Sequence, residues 1–344
     1  MKWYQANKRD LPWRHTKDPF RIWLSEIILQ QTRIDQGLPY YENFVSTFKN
    51  VEELANAKED KILRLWQGLG YYSRARNLHK CAQVVSDKYY GTFPDTYSEL
   101  LTLPGIGPYT AAAIASIAFN EAAAVIDGNV FRLLSRLFGL NDNIAIAKSR
   151  KTFESVASAM IDSNQPATFN QAIMEFGARV CKPSNPNCDH CPVNQYCYAF
   201  KNNCQATLPV NNKRLKIKER YFNYLVGLND NKTYLHKRNA GDIWRGLYDF
   251  PLIESAKSMT VRDVLRSSDL KNIEIIKVSD EYKHILTHQR IYARFILFEL
   301  KDSTFAEEFQ HKFGCRVYSF NKLGALPKPR LIDKYLNDHK DYLL

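Results

Sequence analysis

The stretch from residue 181 to residue 197, "CKPSNPNCDHCPVNQYC", packs four cysteines into 17 residues. Cys181, Cys188, Cys191 and Cys197 follow the spacing C-x6-C-x2-C-x5-C. Four thiolates this close in sequence can converge on one metal centre, and zinc and a [4Fe-4S] cluster both accept such a set. The spacing differs from the C-x2-C-x2-C-x3-C-P run of bacterial ferredoxins. The bland alternative is four free thiols in a loop. Cys81, Cys204 and Cys315 stand outside the set and read as core or incidental residues.

Upstream of this loop the chain reads as helical. "VEELANAKEDKILRLWQGLG" (51–70) carries Val51, Leu54, Ile62, Leu65 and Trp66 near helical period, and "ARNLHKCAQVVSDKYYG" stops at Gly91. "TAAAIASIAF" (110–119) is a small-residue helix suited to close packing. "NVFRLLSRLFGL" (129–140) aligns Val130, Leu133, Leu134, Leu137 and Phe138 on one side. Downstream of Cys204 the texture changes. Lys213, Arg214, Lys216, Lys218 and Arg220 surround one Glu and read as a basic linker. The runs "YFNYLVGL", "KTYLHKR", "GLYDFPLI", "IEIIKV" and "IYARFILFEL" then read as short strands of an α+β domain.

The 344 residues suffice for two or three domains. A formal net charge of +12 favours a polyanionic partner, since Lys and Arg neutralise phosphates. No run approaches the length of a membrane-spanning helix. The opening "MKWYQANKRDLPWR" has no apolar core of a signal peptide. The expected compartment is therefore cytosolic or nuclear, where seven cysteines point to metal or free thiols rather than disulfides.

Three further features carry chemistry. In "LPGIGPYTA" (103–111), Gly105 and Gly107 permit a tight turn with positive φ, and its N–H groups, with the helix from Thr110, can hold a phosphate. An ordinary Gly-Pro turn is the alternative. In "VIDGNV" (125–130), Asp127 is placed to cap the helix at Asn129. In "LSEIILQQT" (24–32), Glu26 has Ile22, Trp23, Leu29 and Gln30 at three and four residues' distance, and no cation among them. An exposed helix Glu needs no explanation. A buried one with these neighbours would hold its proton to higher pH.

These motifs resemble the helix-hairpin-helix DNA glycosylases, in the branch shared by endonuclease III and the adenine DNA glycosylases. The cysteine spacing is similar to that branch's iron–sulfur loop, and "LPGIGPYTA" to its DNA-backbone hairpin. "HKRNAGDIWRGLYDFP" (236–251) looks like the Nudix-like C-terminal domain of the adenine branch, and the chain lacks a G-x5-E-x7-R-E-x2-E-E run for pyrophosphate hydrolysis. The resemblance implies a multidomain fold: an all-α helix-hairpin-helix core with a [4Fe-4S] cluster domain, and an α+β Nudix-like domain. The expected units are a six-helix barrel at 14–122, a cluster domain from 1–13 and 123–204, a basic linker at 205–219, and the Nudix-like domain at 220–344.

The resemblance also implies roles. Glu26 matches the general acid that protonates adenine N7, and Asp127 the carboxylate that stabilises an oxocarbenium-like sugar, a two-carboxylate logic shared with glycoside hydrolysis. Strand-cleaving members carry a Schiff-base Lys where this chain has Tyr109, and a phenol forms no imine. The chain thus resembles a monofunctional glycosylase, with Tyr109 and Asn129 beside the sugar. Arg9, Leu11, Trp13, Arg14, Leu29 and Gln171 match the adenine pocket. Gln30, Gln31, Thr32, Tyr71, Gly105, Gly107 and Thr110 match DNA-contacting positions, with Gln31 and Tyr71 as wedges into the space a flipped base leaves. Close relatives often carry Lys at the position of Phe131. The loop that reads 8-oxoguanine, usually Phe-Ser-His, is here Leu286, Thr287 and His288. The implied function is excision of adenine opposite 8-oxoguanine or guanine in duplex DNA by a monomer. Its location would be cytoplasmic with the nucleoid in a bacterium, or nuclear in a eukaryote. The rivals are an endonuclease III-like glycosylase with lyase activity and a non-catalytic metal-containing DNA-binding protein. A ferredoxin-like electron carrier conflicts with the cysteine spacing and the size.

Overall fold

The computed structural model describes residues 1–212, 216–239, 241–270 and 273–340. Lys213 and Arg214 of the basic run, and the last four residues of the C-terminal domain, lie outside the described residues. The chain divides into two compact units, one of residues 1–57 and 76–213, the other of residues 58–75 and 214–344. No helix among the described residues is long and apolar enough to cross a membrane.

Up to Cys204 the chain is helical. In order come α1 (Lys2–Asn7), α2 (Pro19–Leu29), α3 (Ile34–Thr47), α4 (Val51–Ala55), α5 (Glu59–Leu65), α6 (Ser73–Tyr89), α7 (Tyr97–Leu100), α8 (Pro108–Phe119), α9 (Gly128–Phe138), α10 (Arg150–Met160), α11 (Pro166–Arg179) and α12 (Tyr198–Lys201). Helix α2 begins at an Asp18 cap, whose side chain accepts from the Phe20 N–H, followed by Pro19 at the first helical position. Every residue from Ile22 to Ile28 is buried, which marks a central rather than a surface helix. Helix α8 is buried from Thr110 to Ile117 and packs on α2 and α11, an approach its alanines make possible.

Helix α9 departs from the expected apolar stripe. Val130, Leu133 and Leu134 are buried, but Phe138 is exposed, while Arg132 and Arg136 are buried. The reason is hydrogen bonding: both guanidiniums reach backbone carbonyls of the cysteine loop and its approach, so their charge is solvated by protein.

In the second unit, strands β1 (Lys218–Asn229), β2 (Lys232–Lys237), β3 (Tyr248–Asp249), β5 (Ile275–Val278) and β7 (Gln289–Glu299) form a mixed sheet in the order β3-β2-β1-β7-β5. Strands β4 (Leu252–Ser255), β6 (Tyr282–Ile285) and β8 (Arg316–Ser319) pair with β1, β7 and β2 respectively. The central pair β1–β7 is parallel, from Lys218 opposite Gln289 to Leu228 opposite Glu299, and the other pairs are antiparallel. Helices α13 (Val261–Ser267) and α14 (Ser303–Phe313) supply Val264, Ala306 and Phe309 to a core with Leu225, Ile296 and Phe298. Two more helices follow, α15 (Phe320–Leu323) and α16 (Arg330–Asp338), and Tyr335 of α16 stacks on Phe295 with ring centroids 3.8 Å apart. The expected helical half and strand-rich half are both present. Arg220, read from sequence as linker, is buried in β1 and pairs with Asp242 and Glu254.

Candidate active site and cysteine loop

Four elements of the first unit bring Glu26, Tyr109, Asp127 and Met174 together: α2, α8, the start of α9 and α11. Glu26 is buried, and the Tyr109 hydroxyl donates to its Oε2 at 2.5 Å. The same hydroxyl lies 3.4 Å from the Met174 sulfur. Burial pushes the Glu26 carboxyl up to about 7, against the opposing Tyr109 hydrogen bond; the Asp127 charge adds to the rise and Arg14 subtracts from it. Tyr109 is driven well above the usual phenol range by burial, then by the Glu26 and Asp127 charges.

Asp127 is the N-cap of α9, accepting from the N–H groups of Asn129 and Val130 at 2.9 and 2.7 Å. Its other oxygen accepts from the Asn129 amide at 2.7 Å. Burial raises this carboxyl, while those three hydrogen bonds pull it down. Buried Asn170 of α11 fixes the approach to Asp127, accepting from the Val125 N–H and donating to Ser116 and the Ala123 carbonyl. Arg132 links Asn129 onward, donating to its side-chain oxygen at 2.9 Å and to the Gly177 and Cys181 carbonyls at 2.7 Å each. Gly177 faces Asn129 so closely that a Cβ would lie 2.8 Å from the Asn129 carbonyl oxygen.

The adenine-pocket candidates are partly assembled by a residue the sequence reading missed. Glu175, with 1% of its side chain exposed, accepts from Arg9 Nε and Nη2 at 2.8 and 2.7 Å and from Arg14 Nη2 at 2.7 Å. Two guanidiniums hold its carboxyl down at about 2 against its burial. Glu175 lies one helical turn beyond Gln171, whose side chain accepts from the Tyr4 hydroxyl at 2.5 Å. Leu11 and Trp13 are buried, and Leu29 is half-buried.

The hairpin matches its expectation at one glycine. Gly105 takes φ +76°, and a Cβ there would meet Asn77 Cβ at 2.7 Å. Gly107 instead has φ −96° and serves as the extended N-cap of α8. The Thr110 hydroxyl is buried and accepts from Gln30 at 3.2 Å, so a phosphate would meet backbone N–H there rather than that hydroxyl. Thr32 donates to the Gln30 carbonyl at 3.3 Å. Gln31 is exposed with φ +54°, a left-handed conformation uncommon for a residue other than Gly, Asn or Asp. In the second unit, Tyr71 is likewise exposed with φ +46°, and its hydroxyl lies 2.5 Å from Thr287 Oγ1. His288 is exposed and its carbonyl accepts from the Lys218 N–H.

Cys181, Cys188, Cys191 and Cys197 line one cavity with Leu133, Leu137 and Phe176. Among the described residues no three His, Cys, Asp or Glu side chains are placed to hold a single metal ion. A [4Fe-4S] cluster takes four thiolates, and this cavity is lined by four cysteines. Arg136 donates to Cys181 Sγ at 3.5 Å. Arg132 and Arg136 escaped the sequence reading, although two cations four residues apart within an apolar helix face were its visible trace.

Residues 24–158 match the model of the HhH-GPD superfamily base excision DNA repair proteins, 181–197 the iron–sulfur binding domain of endonuclease III, and 223–338 a NUDIX domain. An adenine DNA glycosylase of Buchnera aphidicola subsp. Baizongia pistaciae is 37% identical over 85% of this chain and 82% of its own. Another, from the subspecies Acyrthosiphon pisum, is 32% identical over 99% and 96%, and that of Arabidopsis thaliana 32% over 88% and 57%. Among solved structures, a thermostable thymine-DNA glycosylase shares 31% identity at TM-score 0.55, covering 58% of this chain and 93% of that one. A non-covalent endonuclease III–DNA complex, at 22% identity and TM-score 0.51, shares the fold over 59% of this chain and 92% of its own.

Proposed function

Because the chain belongs to the adenine DNA glycosylases, we propose that Glu26 and Asp127 are the two carboxylates with which it hydrolyses the N-glycosidic bond of adenine in base excision repair. The observation that carries the assignment is Glu26 itself, buried, hydrogen-bonded to Tyr109 and raised to about 7. A general acid works best when its pKa lies near the working pH. Glu26 delivers its proton to N7, so the base departs neutral. Asp127, held by the start of α9, faces the sugar as positive charge develops there. Asn129 orients Asp127 through its amide. Tyr109 carries no amine, so base release proceeds by hydrolysis without an imine to the enzyme. Arg9, Leu11, Trp13, Arg14, Leu29 and Gln171 surround the flipped adenine.

The substrate in this reading is duplex DNA with adenine opposite 8-oxoguanine or guanine, bound by a monomer in the compartment that holds the DNA. Gly105, Gly107 and the first N–H groups of α8 hold backbone phosphate, and Gln30, Gln31, Thr32 and Tyr71 contact the opened duplex. Thr287 and His288 read the opposite base. The Tyr71–Thr287 hydrogen bond ties a wedge to that reading loop. The chain binds a [4Fe-4S] cluster through its cysteine loop; Cys181, Cys188, Cys191 and Cys197 are its proposed ligands, and its chemistry there is structural.

The test is base release under single-turnover conditions from duplexes carrying adenine opposite each of 8-oxoguanine, guanine, cytosine and thymine. The native chain is expected to favour the first two. Glu26→Gln is expected to bind the duplex and to lose base release by roughly 10²–10⁴-fold. Full activity in that variant, or a borohydride-trapped enzyme–DNA adduct in the native chain, would overturn the reading.

A further inference from the structure

Glu175 makes no hydrogen bond to Glu26 or Asp127 among the described residues, but it holds Arg14, whose charge faces Glu26. Among the described residues it is the carboxylate that both Arg9 and Arg14 reach. We infer that Glu175 is a positioning residue of the reaction: by clamping Arg14, beside Arg9 on the same carboxylate, it neutralises the cation that faces the acid and keeps its field off Glu26. The inference rests on the reading of Glu26 as the general acid.

The groups around each carboxyl make the case. Facing Glu26 are Tyr109 from α8, Asp127 from the start of α9, and Arg14 from the turn at 12–14; the other charged residue of its own helix, Arg21, pairs with Asp18 at 3.5 Å. Arg14 is thus the one cation in that set, and it acts against the proton that the acid must keep. Facing Glu175 are Arg9 and Arg14, Arg179 at 3.9 Å, and Tyr4. Arg14 also donates Nη1 to the Arg9 carbonyl at 2.9 Å, which fixes its guanidinium plane in the clamp. A buried carboxylate held by a two-pronged Arg9 and a single bond from Arg14 is costly to assemble. An uncharged acceptor could orient Arg14 equally well, whereas only a carboxylate cancels its charge.

The test is the pH profile of single-turnover base release from an adenine:8-oxoguanine duplex over about pH 5 to 9. In the native enzyme the alkaline limb follows loss of the Glu26 proton near 7. In Glu175→Gln the limb is expected to move down by about one pH unit. That gives roughly tenfold slower release on the alkaline side, measured against the acid-side plateau of the same variant. Adding Arg14→Gln to that variant is expected to return the limb. A uniform loss with the limb unmoved would mean Glu175 is merely structural and would overturn the inference. Glu26→Gln separates the two readings: if it keeps pH-dependent release, the acid assignment fails; if it is inactive and the Glu175→Gln limb stays put, only the Glu175 inference fails. Duplex binding and the visible absorbance of the cluster report folding. Should Glu175→Gln not fold, Glu175→Asp, which keeps the charge, is expected to keep the native limb. Arg14→Gln alone is expected to move it to higher pH, and an unmoved limb in that variant overturns the inference.

Discussion

At Glu26, the proposed role as an acid and stability pull in opposite directions. Its folded value of about 7 stands above the ordinary 4.5, so the folded chain binds this proton more tightly than the unfolded chain does. The associated stability is fully present below about pH 4.5 and is lost as pH rises through 7, after which it levels off. The shift corresponds to about 3 kcal/mol at alkaline pH. Gln has nearly the same shape and no charge to bury. In denaturant titrations that follow the helical signal, Glu26→Gln is therefore expected to gain on the native chain by about 2–3 kcal/mol between pH 5 and pH 8. Parallel stability curves for the two proteins would show that Glu26 carries no such cost. The lack of a cation beside Glu26 was legible in sequence because it is local, but its burial was not, and the resemblance rather than the residues alone singled it out. Glu175 was not legible, since its partners Arg14 and Arg9 lie 161 and 166 residues away. Nothing in a helical Glu announces a distant clamp.

The elements matter chiefly for how they aim these groups. Helix α9 delivers Asp127 as its cap, Asn129 in its first turn and Arg132 toward the cysteine loop, so one helix start orients three parts of the proposed site. Its position is set by α11, where Gly177 leaves room for the Asn129 backbone. A methyl at 177 would press on that backbone, which cannot swing aside as a flexible side chain could. Gly177→Ala is expected to cost about 1–3 kcal/mol by overpacking. It is also expected to slow base release on the order of 10²-fold, because displacement of about 1 Å at reacting groups is enough for that. Duplex affinity is expected to change little. Rapid base release by a folded Gly177→Ala protein would show that α9 is aimed by something else. The cap of α9 was legible from Asp-Gly-Asn, and the strand runs from their β-branched and aromatic residues. Strands β6 and β8 were not, because "YKHI" and "RVYS" are short, and only partners at β7 and β2 make them strands. The buried faces of Arg132 and Arg136 were missed for a related reason: hydrophobic period counts a guanidinium as surface, while the carbonyls that accept from it belong to another segment.

Over the whole chain, the two units each have a core of their own. The first buries Trp23, Phe44, Phe48, Ile114, Leu134 and Phe153, and the second Leu225, Ile296, Phe298 and Phe309. Chains built this way depart from a single two-state transition. The cysteine loop belongs wholly to the first unit, so what it contributes to stability is confined there. Its four cysteines, the proposed ligands, would close the chain between 181 and 197, and Arg136 and Arg132 tie that loop to α9. Replacing one ligand, as in Cys191→Ala, removes a closure comparable to a covalent staple, on the order of 3 kcal/mol. For a unit of this size that lowers the melting temperature by about 6–12 °C. Calorimetry of the native chain is expected to resolve two overlapping transitions. In Cys191→Ala the visible absorbance is expected to be lost and the helical transition to move down, while the transition of the sheet-containing unit stays where it was. If both transitions moved together by the same amount, the chain would unfold as one cooperative body. The cluster would then stabilise the whole molecule rather than the unit that holds it.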